Sequence, residues 1–216
     1  MTDDSQALAI EGVRFFGEIS ASISHEIKNV LAIINENAGL LEDMLSMSEK
    51  GSPLSLERLS TLARSIARQV HRGDRIVKGM NRFAHGADVP TETVDVGAVI
   101  HFFSKLAGRL IAMKGATPQI DEPAGPVTAV TNRFFLENLV WACLCRAMDS
   151  SAPDQAVSII VDKIENTTRI RFCGLSPDAL AGGGDFPSPR EKLVADLLGT
   201  RLAVDGEKGE IGLILP

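Results

Sequence analysis

The chain has 216 residues, 44% hydrophobic and 23% charged, which suits a soluble globular protein with one large domain or two small ones. Its net charge of −6 argues against nucleic acid as the main partner, because phosphate binding needs a clustered positive surface. No stretch approaches the ~20 apolar residues that span a bilayer, and the start, Met-Thr-Asp-Asp, is acidic where a signal peptide is basic. No membrane contact and a cytoplasmic location are therefore expected.

Residues 7 to 48 read as one helix, broken by neither proline nor a turn cluster. Its apolar seam runs Ile23, Ile27, Val30, Ile34, Leu41 and Met44, in steps near four and three. On that register His25 falls near the middle of the opposite face, with Asn29 one turn on beside it. Gly51-Ser52-Pro53 predicts a stop, a serine cap and a proline in the next helix's first turn. A second helix follows to about Ala84, with a seam of Leu59, Leu62, Ile66, Ile76, Met80 and Phe83, closed by Gly86 and Pro90.

The short connection makes the two helices antiparallel neighbours. A lone hairpin cannot bury seams on both helices, so a homodimer forming a four-helix bundle through residues 7 to 84 is expected. The second helix is locally basic: Arg58, Arg64, Arg68 and Arg82, with Arg72, Arg75 and Lys78 between them. That pattern fits a solvated face or a docking face for an acidic partner.

From about residue 92 the pattern changes. Thr93 to Val96 predicts a short edge strand, and a helix runs from roughly Val96 to Lys114. A Gly/Pro-punctuated stretch follows, through Asp121-Glu122-Pro123 and Gly125-Pro126, before an apolar helix from about Asn132 to Asp149. Val157 to Lys163 and Thr168 to Cys173 read as a strand hairpin across Glu165-Asn166. A loop, Gly174 to Pro189, leads to a helix ending at Leu198 and to strands at 201–205 and 210–215. The order predicts an α+β chain in which one sheet is covered by helices in an α/β sandwich. Domains are expected at 1–88 and 89–216. Cys143, Cys145 and Cys173 lack the second ligand pair of a zinc site and read as reduced thiols.

Taken together, Ser24-His25-Glu26-Ile27-Lys28-Asn29 resembles the phosphoacceptor box of sensor histidine kinases. The first half is similar to their dimerisation and histidine-phosphotransfer hairpin. The second half resembles their ATP-binding domain in order and spacing, from Val94-Asp95-Val96 to Gly212-Leu213-Ile214-Leu215-Pro216. The departures from that family decide the expected function. Where the family has a magnesium-binding asparagine, Asn138-Leu139-Val140-Trp141-Ala142-Cys143 offers Ala142, which has no oxygen for a hard cation. Where it has an Asp-x-Gly-x-Gly loop for adenine, this chain has Cys173-Gly174-Leu175-Ser176-Pro177. The last glycine-rich turn is replaced by Pro187-Ser188-Pro189-Arg190-Glu191, and the triplet Gly182-Gly183-Gly184 lacks the lysine of a phosphate loop.

An acceptor histidine kept without an ATP site resembles the dimeric histidine phosphotransferases of phosphorelays. The resemblance implies that His25 takes a phosphoryl group from the aspartate of one response-regulator receiver domain and gives it to another. Phosphoryl transfer depends on alignment and charge neutralisation, so no intrinsic cofactor is expected and the receiver brings its own magnesium. Glu26 is carried over as the residue that assists proton removal from His25, and Asn29 as one that can position water for receiver dephosphorylation. Lys28 can neutralise phosphate, and Arg72, Arg75 and Lys78 are expected contacts for the receiver's acidic rim. His71, His85 and His101 have no partner motif. An ATP-dependent kinase with a divergent nucleotide site, or a non-catalytic dimeric scaffold, are the other readings of the same residues.

Overall fold

The computed structural model describes residues 3–121, 123, 125–152, 155–165, 167–182 and 184–216. Asn166 of the expected strand turn, Glu122 and Gly183 lie outside them. The chain forms two compact units, one of Ile19–Arg82 and one of Met1–Glu18 with Phe83–Pro216.

Helix α1 (Asp3–Glu49) and helix α2 (Leu56–His85) carry the first unit between Ile19 and Arg82. Gly51, with φ +93, takes the left-handed conformation that ends α1 cheaply only for glycine. The serine that starts α2 is Ser55, whose Oγ accepts from Arg58 N at 3.4 Å and whose carbonyl accepts from Leu59 N. The expected cap at Ser52 is thus three residues early, and Pro53 lies in the connection instead of the helix. Within this unit α2 runs back along α1. Met44 and Met47 share a groove with Thr61 and Leu62 near the turn. Farther along, an added Cβ on Gly73 would touch Val30 Cγ1 at 3.4 Å. Ile23 and Val30 are buried, whereas Ile27, Ile34, Leu41, Met44 and most of the α2 seam are only half-buried.

The second unit holds two sheets. Strand β1 (Glu92–Asp95) pairs antiparallel with β3 (Thr128–Thr131) as a two-stranded ribbon. The larger sheet has the order β2-β4-β5-β7-β6, from β2 (Gln119–Asp121), β4 (Ser158–Ile164), β5 (Thr167–Cys173), β7 (Glu210–Leu215) and β6 (Arg201–Asp205). Among the described residues only the β2–β4 pairing is parallel. Alternation sends Ile170 and Phe172 of β5 and Ile211, Leu213 and Leu215 of β7 to one buried face.

Helix α5 (Arg133–Asp149) covers that face and also packs on α3 (Val96–Leu106) and α7 (Pro189–Leu197). Being surrounded, it is apolar on nearly every side, which is why its sequence has no amphipathic stripe. Asn132 caps it, its side chain accepting from Phe135 N at 3.0 Å. Helix α7 starts at a capping box of Ser188 and Glu191 with Pro189 in its first turn, so the segment where the resembling family has glycine is here a helix start.

Several elements differ from expectation. The single helix 96–114 is two, α3 and α4 (Gly108–Met113), joined through Ala107. The Gly/Pro stretch holds the short strands β2 and β3, and the loop after β5 holds helix α6 (Pro177–Gly182). Arg146 Nη2 donates to the carbonyls of Ala179 and Leu180 and so fixes α6 against α5.

Residues 3–18 of α1 belong to this second unit. Phe15, wholly buried, meets Phe83 edge-on at 5.5 Å and Phe134 at 5.3 Å between ring centroids. Phe16 stacks on Phe83 at 5.6 Å. Buried Glu11 pairs with Arg190 at the start of α7. Two glycines answer to backbone contacts: Gly174 (φ +86) lies against the Ala156 carbonyl and Gly209 (φ +61) against that of Leu175, leaving no room for a Cβ at either.

Candidate functional site

In the hairpin unit, His25 is exposed on α1 while Ile23 and Val30 are buried. At 100° per residue these two lie about 150° around the helix from His25, Asn29 about 40° and Glu26 about 100°. Asn29 and Lys28 are exposed. Glu26 sits on the border between the buried seam and the histidine's face. Its side chain is 19% exposed, and its Oε2 pairs across the hairpin with Arg72 Nη2 at 3.4 Å. Arg72 is 44% exposed at its side chain, so much of the guanidinium still faces water.

The structure thus places His25, Glu26, Lys28 and Asn29 within little more than one turn of one helix, and joins Arg72 to Glu26. Arg75 and Lys78 are exposed roughly one and two turns farther along α2. Lys78 Nζ is occupied by Asp74 at 2.8 Å, an exposed pair one turn apart. The Arg72–Glu26 link has no signal in the sequence beyond an arginine and a glutamate on helices expected to be neighbours. The other histidines are exposed: His71, His101 and His85, whose Nδ1 lies 2.9 Å from Asp88.

The second unit shows what occupies the positions where the resembling family binds nucleotide. Ala142 is half-buried and offers no oxygen. Cys143 is fully buried, and burial pushes its thiol well up; burial also pushes Cys145 up to about 12. Both are therefore protonated thiols near neutral pH. Cys173 sits on the sheet face turned away from α5, its Sγ 3.8 Å from Glu210 Oε2. Arg171 joins Glu210 (3.7 Å) to Asp162 (3.0 Å), and Arg169 grips Asp162 with two bonds of 2.9 Å. Hydrogen bonding from Arg169 holds the Asp162 carboxyl below the usual carboxylate range.

Cys173 thus sits beside a linked network of charges. Asn138 is buried with its Nδ2 unpartnered among the described residues, and neighbouring Glu137 pairs with Arg133 at 3.0 Å. Among the described residues no three His, Cys, Asp or Glu side chains gather as metal ligands. No helix among the described residues is long and apolar enough to cross a membrane.

No family model matches the chain, and no curated protein matches it. Among solved structures it is similar to histidine kinase and phosphotransferase structures. A bacterial phosphotransferase structure shares 12% identity over 93% of this chain and 95% of that one, with a TM-score of 0.44. The histidine kinase AdeS of Acinetobacter baumannii shares 14% identity over 88% of this chain and 95% of that one, with a TM-score of 0.43. The histidine kinase ThkA, in complex with the response regulator protein TrrA, shares 16% identity over 99% of this chain and 64% of that one, with a TM-score of 0.47.

Proposed function

We propose that the chain is a histidine phosphotransferase of a two-component phosphorelay, with His25 as the residue that carries the phosphoryl group. The observation that supports this most is the exposed His25 on a helix whose opposite side is buried, with Asn29 about one turn on and Glu26 paired with Arg72 across the hairpin. A side chain fixed on a packed helix needs little reorganisation to meet a donor in line. A ring nitrogen of His25 attacks the phosphorus of a receiver's aspartyl phosphate. The N–P bond forms, the P–O bond breaks, and the receiver carboxylate leaves with the electron pair. The proton on the other ring nitrogen passes to Glu26 or to water. The reverse reaction delivers the group to a second receiver. Magnesium acts from the receiver's side, where it neutralises the phosphoryl oxygens. Lys28, Arg72, Arg75 and Lys78 offer positive charge to the receiver's acidic rim.

The working unit in this reading is a cytoplasmic homodimer. Leu31, Leu45, Met47, Val70 and Val77 of the hairpin unit are each 45% exposed or more, and in this reading a second hairpin covers part of that apolar surface as a four-helix bundle. The test uses receivers carrying labelled phosphate on their aspartate. The full chain is expected to gain acid-labile, alkali-stable label, and His25→Ala none, while light scattering gives the same dimer mass for both. Equal labelling of His25→Ala would remove His25 from the reaction. Label arriving from ATP and magnesium alone would make the chain a kinase.

A further inference from the structure

Arg72, expected from the sequence as a docking contact, is tied to the residue that follows His25. Arg72 reaches from α2 to Glu26 Oε2 at 3.4 Å, and Glu26 adjoins His25 on the flank of the seam. An exposed ion pair of this kind adds little to stability. It does draw the guanidinium to the carboxylate of Glu26, the residue that follows His25 in α1.

We propose that Arg72 is the phosphoryl-binding cation of this site: Glu26 holds its guanidinium beside His25, and the guanidinium contacts the phosphoryl group as that group reaches and leaves the ring. This rests on His25 being the acceptor.

The charges support it. A phosphoryl group on His25 brings two negative charges next to the Glu26 carboxylate, which repels them. Lys28 lies about 60° around the helix from His25, on the flank away from Glu26. Arg72 is the cation already drawn to the Glu26 side. A guanidinium has five N–H donors in a fork that matches two phosphoryl oxygens, and the contact to Glu26 uses one of its nitrogens. With 44% of the side chain open to water, the remaining donors can meet an incoming group without breaking any packing. Electrostatic groups held in place before the reaction are the usual source of rate in phosphoryl transfer, where the transition state spreads charge over the equatorial oxygens.

A receiver contact and a phosphoryl contact give different results with a small donor. Phosphoramidate transfers its phosphoryl group to histidine without any receiver, so a docking residue has no effect on it. In the full chain, Arg72→Ala is expected to slow phosphoramidate labelling of His25 by roughly tenfold, a modest effect for a donor to transferring charge because the site is open to water. Arg72→Lys, which keeps the charge and loses the fork, is expected to recover part of that rate. With a phosphorylated receiver as donor, Arg72→Ala should lower the rate at saturating receiver more than it raises KM.

Labelling of Arg72→Ala at the wild-type rate, or a change confined to KM, would overturn the assignment and leave Arg72 as a docking residue. The two readings separate cleanly. Arg72-dependent labelling by phosphoramidate without transfer from any receiver would defeat the phosphorelay reading alone. Transfer from a receiver that ignores Arg72 would defeat this inference alone.

Discussion

Trp141 Nε1 donates to Glu18 Oε1 across 3.0 Å, so the middle of α5 is tied to a residue of α1 from the opposite end of the sequence. The indole is buried, with Phe103 packed edge-on at a centroid distance of 6.1 Å. A buried indole N–H needs an acceptor, and here it has a carboxylate.

The first prediction concerns that bond. Glu18→Ala should destabilise the second unit by about 1–2 kcal/mol, the cost of leaving a donor short of its charged acceptor. Glu18→Gln, which keeps an acceptor oxygen, should lose less. Trp141 is the chain's one tryptophan, so urea unfolding followed by its emission reads the local change. An unchanged midpoint for Glu18→Ala would show that water replaces the carboxylate without loss.

A second prediction follows from Phe83, which is wholly buried between Phe15, Phe16 and Phe134. Removing its ring leaves a cavity that three other rings cannot fill. Phe83→Ala should cost about 3–5 kcal/mol, and Phe83→Leu, closer in volume, clearly less. Calorimetry on the three proteins checks the order.

The third prediction is a pH dependence. Burial pushes Cys145 up to about 12, and raises Cys143 and Cys173 as well. The thiolate is the reactive form, and a free cysteine ionises near 8.5. At pH 8 the native chain should therefore react with iodoacetamide far more slowly than free cysteine, Cys145 by more than about 100-fold. Its rate should climb about tenfold per pH unit, and unfolding in guanidinium should release all three thiols. The same shift bears on stability. The folded state holds these protons more tightly, so their contribution is complete below about pH 8.5 and falls as pH rises toward 12. Rapid alkylation of Cys145 at pH 8 in the native chain would contradict the burial that this rests on.

The long elements were legible in the sequence because they are periodic or punctuated. The hairpin helices show the three-and-four spacing, Asn132 caps α5, and alternation marks β5 and β7. What escaped has specific causes. Strands β2 and β3 hold only three and four residues, too few for a period to show, and both lie in a stretch that proline and glycine mark as loop. The break between α3 and α4 falls at Ala107, a residue that favours helix, so no local signal announces it. Helix α6 is fixed by Arg146 from another element, which no local window contains. At the candidate site, His25 and Asn29 could be placed because one helix sets their spacing. The pairing of Glu26 with Arg72 depends on how two helices cross, and periodicity along either one says nothing of that.

The membership of residues 3–18 in the same core as Phe83–Pro216 has a consequence for biogenesis. As the chain leaves the ribosome, Phe15 and Phe16 emerge long before Phe83, and longer before Phe134. The hairpin between them needs only neighbouring contacts and can close early, whereas the aromatic core must wait for distant sequence. During that interval residues 3–18 display an apolar face whose partners in the aromatic core have not yet been made, which makes it a natural place for a chaperone to bind.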